Sequence, residues 1–196
     1  MRLAFSSGMK HRRPPYPFVW ILVLSILGAS ALGANTPVSV DVERSTDKSY
    51  VVDAAFDVDA PATIAWEVLT DYEGMGRFVS SIRQSTVKQR SGGRVLLEQH
   101  GVGRAWIVSL PMHVVLEVRE QDARVLMFRD VCGKSFTTYE GAWELTTIGS
   151  GTRIIYRLKA DPTGRQPAMV AKSAIKGSVR KLLDEVRHEI LARAAR

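Results

Sequence analysis

Four side chains in the middle of this 196-residue chain could hold or move charge: His100, Arg104, Tyr139 and Tyr156. Strand parity is expected to turn them inward, where they could serve acid–base work in a closed pocket. Each also has an ordinary role, because a Tyr can bury its ring and keep its O–H on a partner, and an Arg near a strand end can snorkel. His100 and His113 fall on neighbouring predicted strands and could converge across a sheet. No third ligand sits at a recognisable spacing, and neither H-x-x-x-H nor C-x-x-C occurs, so no metal site is assigned. His113 has the polar parity of its strand. No G-x-S-x-G or Ser/His/Asp grouping supports nucleophilic hydrolysis. Glu117/Glu120 and Glu140/Glu144 read as solvated strand positions. Gly101-Val102-Gly103 and Gly149-Ser150-Gly151 are bends or turns, since neither lies between a strand and a helix start. No residue is assigned a catalytic role, and no cofactor is implied.

These residues need elements to position them. Val52, Ala54, Phe56 and Val58 alternate with Asp53, Asp57 and Asp59, the pattern of a half-buried strand. Pro61 suits a first helical position, and Ile64, Ala65, Val68 and Leu69 share one helical face. A Gly-flanked turn (Gly74-Met75-Gly76) and Phe78 follow. Strands are then expected at Ile82–Arg90, Arg94–Arg104, around Met112–Val118, Arg124–Val131, Ser135–Ile148 and Thr152–Ala160. Ser91-Gly92-Gly93 is a hairpin signal, and Gly101 and Gly103 mark a bulge or bend. The two histidine-bearing strands are separated by a connection that bends at Leu110-Pro111. Ala171, Ile175, Val179, Leu182, Val186 and Ile190 step by three or four, widened by Leu183 and Leu191, which predicts a long amphipathic helix. There are no internal repeats.

Within this order, Trp66, Leu69, Thr70, Asp71, Tyr72 and Phe78 form a W-x-x-L-T-D-Y-x-x-x-x-x-F pattern. Gly141-Ala142-Trp143-Glu144-Leu145, then Gly149-Ser150-Gly151-Thr152-Arg153 and Tyr156, form a second signature. Together they resemble the polyketide cyclase / coenzyme Q-binding family of the START-like (SRPBCC) superfamily, from Val51 to about Leu191. The resemblance implies an α+β helix-grip fold: a seven-stranded antiparallel sheet wrapped around a long C-terminal helix, with two short helices after strand 1. It also implies an apolar cavity, so that ligand-holding follows from shape. Both signatures specify fold, and neither specifies a reaction.

By strand parity the apolar side of the sheet presents Phe56, Val58, Leu96, Val102, Trp106, Met112, Val114, Leu116, Phe128, Trp143, Ile154, Tyr156 and Leu158. From this side and the mouth, the residues expected to contact a ligand are Phe56, Trp106, Met112, Val114, Leu116, Phe128, Tyr139, Trp143, Tyr156 and Met169. Large aromatics and pliable Met line such cavities. In this fold the C-terminal helix closes one end of the cavity, placing Met169, Val170 and Ile175 near the mouth. Lys172, Lys176, Arg180 and Lys181 follow as a basic band, either a solvated helix face or a surface for anionic lipid headgroups.

The N-terminus is a separate matter. Arg2, Lys10, Arg12 and Arg13 precede an apolar or small run, Phe18–Leu32, and Ala29-Ser30-Ala31 and Ala31-Leu32-Gly33 offer small residues for cleavage. Residues 1–34 therefore read as a secretory signal peptide, with an uncleaved anchor as the alternative. The run is shorter than the ~20 residues of a membrane-spanning helix. Without residues 1–34 the formal charge falls from +7 to +3, and residues 165–196 hold 8 basic against 3 acidic side chains. Cys132 is the single cysteine, so an internal disulfide is excluded; it is expected to be a small buried residue at a strand end. No nucleic-acid motif is present.

The chain is thus expected to comprise a signal peptide (1–34), a linker or frayed first strand (35–49) and a START-like domain (50–196). The expected role is to bind or carry a hydrophobic small molecule, such as a lipid, quinone or polyketide-like compound, in the periplasm, with peripheral contact to an anionic membrane. The alternatives are a cyclase- or dehydrase-type enzyme and a protein-interaction module.

Overall fold

The computed structural model describes residues 37–105, 108–163 and 168–196, and gives no side-chain placement for residues 104–109 or Ala168. The expected signal peptide and Trp106 lie outside the described residues. The described chain runs β1 (Ser39–Arg44), β2 (Tyr50–Val58), α1 (Ala62–Thr70), α2 (Met75–Phe78), β3 (Ile82–Ser91), β4 (Arg94–Ala105), β5 (Val108–Gln121), β6 (Val125–Asp130), β7 (Phe136–Ile148), β8 (Gly151–Pro162) and α3 (Ala168–Ala194). All pairings are antiparallel, in the order β1-β2-β8-β7-β6-β5-β4-β3.

The sheet has eight strands rather than seven. The additional one, Ser39–Arg44, lies inside residues 35–49, where the sequence left a linker and a frayed first strand open, and the strand is what forms. Val40 and Val42 are buried while Ser39, Asp41 and Glu43 face solvent, so this short edge strand covers β2 with one apolar row. The connection expected to bend at Leu110-Pro111 is instead continuous strand: β5 passes through Pro111, opposite Val102. The missing N–H is tolerated because β6 pairs only with the Leu116–Gln121 part of β5, leaving Pro111 without a ladder on that side. Pro61 caps α1 rather than opening it, with φ −60° and ψ 146°.

Helix α3 lies across the sheet and touches β1, β2 and β4, and it also meets α1 and α2. Its buried positions are Ala171, Val179, Leu183, Val186 and Ile190, with Ile175, Leu182 and Leu191 partly buried against the same core. Full burial of one such aliphatic side chain contributes about 2 kcal/mol. The two short helices are pinned through the L-T-D-Y segment. Asp71 accepts the Gly74 N–H and pairs with Arg77 and, at 2.7 Å, with Arg193 near the end of α3. The Tyr72 hydroxyl donates to Glu120 at 2.8 Å, and Arg90 stands over its ring while pairing with the same carboxylate. Glu120 is therefore a tether for α1, not the solvated position expected. Arg193 also lies over the Phe78 ring. Of the first signature, Tyr72 thus holds the short helices to the sheet, while Asp71 and Phe78 hold them to α3.

Candidate ligand-binding face

The concave face that meets α3 is built from alternate residues. On β8 these are Ile154, Tyr156, Leu158 and Ala160; on β7, Tyr139, Gly141, Trp143 and Leu145; on β6, Leu126 and Phe128; on β5, Met112, Val114, Leu116 and Val118. Most of the expected ligand-contact residues therefore share one face. Phe56, Val114, Leu116, Phe128, Trp143 and Tyr156 are buried, and Met112 and Tyr139 are partly buried against them.

Five rings form a continuous cluster. Trp143 and Tyr156 lie 4.4 Å apart between centroids, Phe128 lies 5.7 Å from Tyr139 and 6.2 Å from Tyr156, and Phe136 lies 4.5 Å from Tyr139. Such tilted and offset pairs add to the plain burial of apolar area. Gly141 makes room in the middle: a Cβ there would stand 2.8 Å from the Phe128 ring. Burial raises the Tyr139 and Tyr156 hydroxyls above the ordinary phenol range, and the two phenols influence each other. Both are neutral O–H groups at physiological pH, suited to orient a carbonyl or hydroxyl and unsuited to abstract a proton.

The expected parity fails in β4. Val95, Leu97 and Gln99 are buried, opposite Val118, Leu116 and Val114, whereas Leu96 and Val102 take the other face. His100 therefore points outward with its partner His113, and leaves the set of inward polar groups. The side chain of Arg104 lies outside the described set. Gly101 marks a close approach rather than a bend in β4, since a Cβ would stand 2.1 Å from the Ser81 carbonyl oxygen; the register shift belongs to β3. Gln99 is the inner polar residue not anticipated. Its Nε2 donates to Ser85 Oγ at 3.1 Å and to Met75 Sδ at 3.4 Å. It follows Leu97 by two in β4, so the alternation of its partner strand β5 was the available signal.

Strand β5, the segment after β6 and the end of β8 meet at Ser135, whose Oγ accepts the His113 N–H and whose carbonyl accepts the Thr163 N–H. Several large apolar side chains are exposed among the described residues. Leu110 is 42 % exposed, Val131 50 % and Met169, in the first turn of α3, 84 %. Lys172, Lys176, Arg180 and Lys181 are all exposed, but not equivalent. Arg180 donates to the Val38 carbonyl at 2.9 Å and Lys181 approaches Glu185, so both are engaged in the fold. They also line an external groove of about 620 Å³ between α2 and α3, which contains none of the expected ligand contacts. Cys132 is half-buried beyond the end of β6, with Sγ 3.8 Å from the His113 carbonyl oxygen, rather than fully buried in a strand.

Residues 49–190 match the family model for "Polyketide cyclase / dehydrase and lipid transport". No curated protein matches in sequence. Among solved structures, a STAR-related lipid transfer protein from Xanthomonas axonopodis is similar, with TM-score 0.67 and 17 % identity over 79 % of this chain and 93 % of that one. The Zhui aromatase/cyclase from Streptomyces has TM-score 0.61 and 16 % identity over 74 % of this chain and 93 % of its own. Human STARD10 has TM-score 0.64 and 16 % identity over 81 % of this chain and 71 % of its own. At these identities the likeness is one of fold.

Proposed function

The chain belongs to the polyketide cyclase / dehydrase and lipid transport family, and we propose that it binds and carries a hydrophobic small molecule between its sheet and α3. The observation that carries this reading is the aromatic cluster on the concave face, with Met112 partly buried against the same core. Burying ~300 Å² of apolar ligand surface contributes roughly 7 kcal/mol before association costs. Affinity then needs no charged contact. The two tyrosine hydroxyls give one polar anchor, suited to a quinone, polyketide or acyl carbonyl. Two neutral phenols favour holding over proton abstraction, because a general base needs a pKa near the working pH.

The same reading gives the exposed apolar side chains a role. On this reading the exposed Leu110, Val131 and Met169 serve as the entrance, and Lys172 and Lys176 follow Met169 along α3. Apolar tips beside lysines match an anionic leaflet, where each basic residue contributes about 1 kcal/mol. The signal-like residues 1–34 support export, which would place this carrier in the periplasm.

The test is uptake. The protein is incubated with anionic phospholipid vesicles containing a quinone, re-isolated and extracted with organic solvent. About one apolar molecule per chain is expected; protein recovered bare would contradict the proposal. Lys172→Glu with Lys176→Glu should weaken vesicle binding, and unchanged binding would remove the membrane-docking part.

A further inference from the structure

On the convex face, away from the aromatic cluster, three potential metal ligands converge. His100 and His113 are direct cross-strand partners on β4 and β5, and Glu98 is diagonal to His113 on the same face. The two imidazoles stack with centroids 4.2 Å apart and 18° between planes. One oxygen, Glu98 Oε1, lies 2.9 Å from His113 Nε2 and 3.6 Å from His100 Nε2. The three donor atoms all lie within 4.8 Å of one another.

We propose that Glu98, His100 and His113 form a binding site for a divalent transition-metal ion, with zinc as the reference case. Zinc bonds of about 2.0–2.1 Å in a tetrahedron require donors roughly 3.3–3.5 Å apart. The observed separations bracket that value, so side-chain adjustments suffice and the backbone need not move. Two imidazole nitrogens and one carboxylate oxygen suit Zn²⁺, Ni²⁺ or Cu²⁺ better than Mg²⁺ or Ca²⁺, which prefer oxygen sets. The side chain of His100 is 47 % exposed, which leaves a path for the ion and a fourth position for water.

The surroundings support the geometry. Lys88 Nζ holds the other carboxylate oxygen, Glu98 Oε2, at 3.2 Å, which orients Oε1 toward the histidines. Hydrogen bonds from His113 and Lys88 lower the Glu98 carboxyl below the ordinary glutamate range, so it is an anionic ligand near neutral pH. The register of β4 on β5 is unbroken from Arg94↔Arg119 to Ala105↔Val108, giving the three ligands a rigid base. On binding, the ion takes the place of the proton between His113 Nε2 and Glu98 Oε1, and His113 ligates as a neutral imidazole: a neutral ring keeps its single proton on Nδ1, and a protonated ring releases one proton to solvent. The bound ion would clip β4 to β5 beneath the hairpin that carries Leu110.

The experiment is equilibrium dialysis of the untagged, metal-free full chain against micromolar zinc, read by elemental analysis, with circular dichroism to check the fold. One zinc per chain is expected for the wild type and for His188→Ala, which alters an exposed histidine on α3. His100→Ala and Glu98→Gln should each weaken binding by about tenfold or more. A wild type that retains no zinc would overturn the proposal, as would folded variants that bind it as well as the wild type.

Discussion

Gly141 stands directly opposite Phe128 across the β6–β7 pair, and the Phe128 ring closes over the space where a Cβ would be. A Cβ would also meet the Arg157 carbonyl oxygen at 2.2 Å, on the β8 side. The glycine of the second signature therefore has a steric reason, since it lets the central ring of the cluster lie flat on the sheet. Gly141→Ala is expected to destabilise the domain by about 2 kcal/mol through overpacking. Urea denaturation checks this, with Gly103→Ala as the reference, because its Cβ meets nothing nearer than 4.0 Å.

The tyrosine pair makes a separable prediction. Tyr156→Phe removes a buried hydroxyl that interacts with Tyr139, a loss of about 1 kcal/mol in stability. Because apolar burial dominates the proposed binding, uptake of an apolar ligand should persist, weakened by no more than about tenfold. Abolition of binding in a folded Tyr156→Phe protein would show that the hydroxyl carries recognition.

Acid should expose the tether between α1 and α3. Burial alone would raise the Asp71 carboxyl, but the hydrogen bonds and charges of Arg193 and Arg77 outweigh it and hold it below the ordinary aspartate range. A carboxyl depressed in the folded state stabilises the protein above its unfolded pKa, and that contribution is lost as pH falls through the folded one. Asp71→Asn should therefore cost roughly 1–2 kcal/mol at neutral pH, and the two stability curves should converge in acid. Thermal melts between neutral and acidic pH test the convergence.

The β5–β6 turn departs from ordinary turn chemistry. Asp122 and Ala123 both adopt left-handed conformations, with φ of 52° and 50°, whereas the β3–β4 turn uses Gly92 and Gly93 at φ 54° and 73°. A left-handed alanine costs about 1 kcal/mol. Ala123→Gly is thus expected to stabilise the protein by roughly 0.5–1 kcal/mol, read as a raised denaturation midpoint.

The sequence was most legible where alternation was clean. Trp143 and Tyr156 could be placed together because β7 and β8 alternate without interruption, and their register is regular there. It was least legible in β4, where adjacent Leu96 and Leu97 leave parity undecided. There the buried polar Gln99 and the outward Val102 both point to the wrong face. Strand β1 was only half legible, because a two-valine edge strand flanked by charged residues reads equally as linker or frayed strand. The Asp71–Arg193 pair spans 122 residues, and the Glu98, His100 and His113 grouping depends on register across a hairpin. Neither leaves a local spacing to read.

The central claim is that the concave aromatic face holds an apolar molecule in the cell. Native mass spectrometry of the protein taken directly from an exported preparation, before and after organic extraction, tests it most directly. The account predicts a stoichiometric adduct that extraction releases as a lipid, quinone or polyketide-like compound. A bare protein that also fails to take up such compounds when they are offered would contradict it.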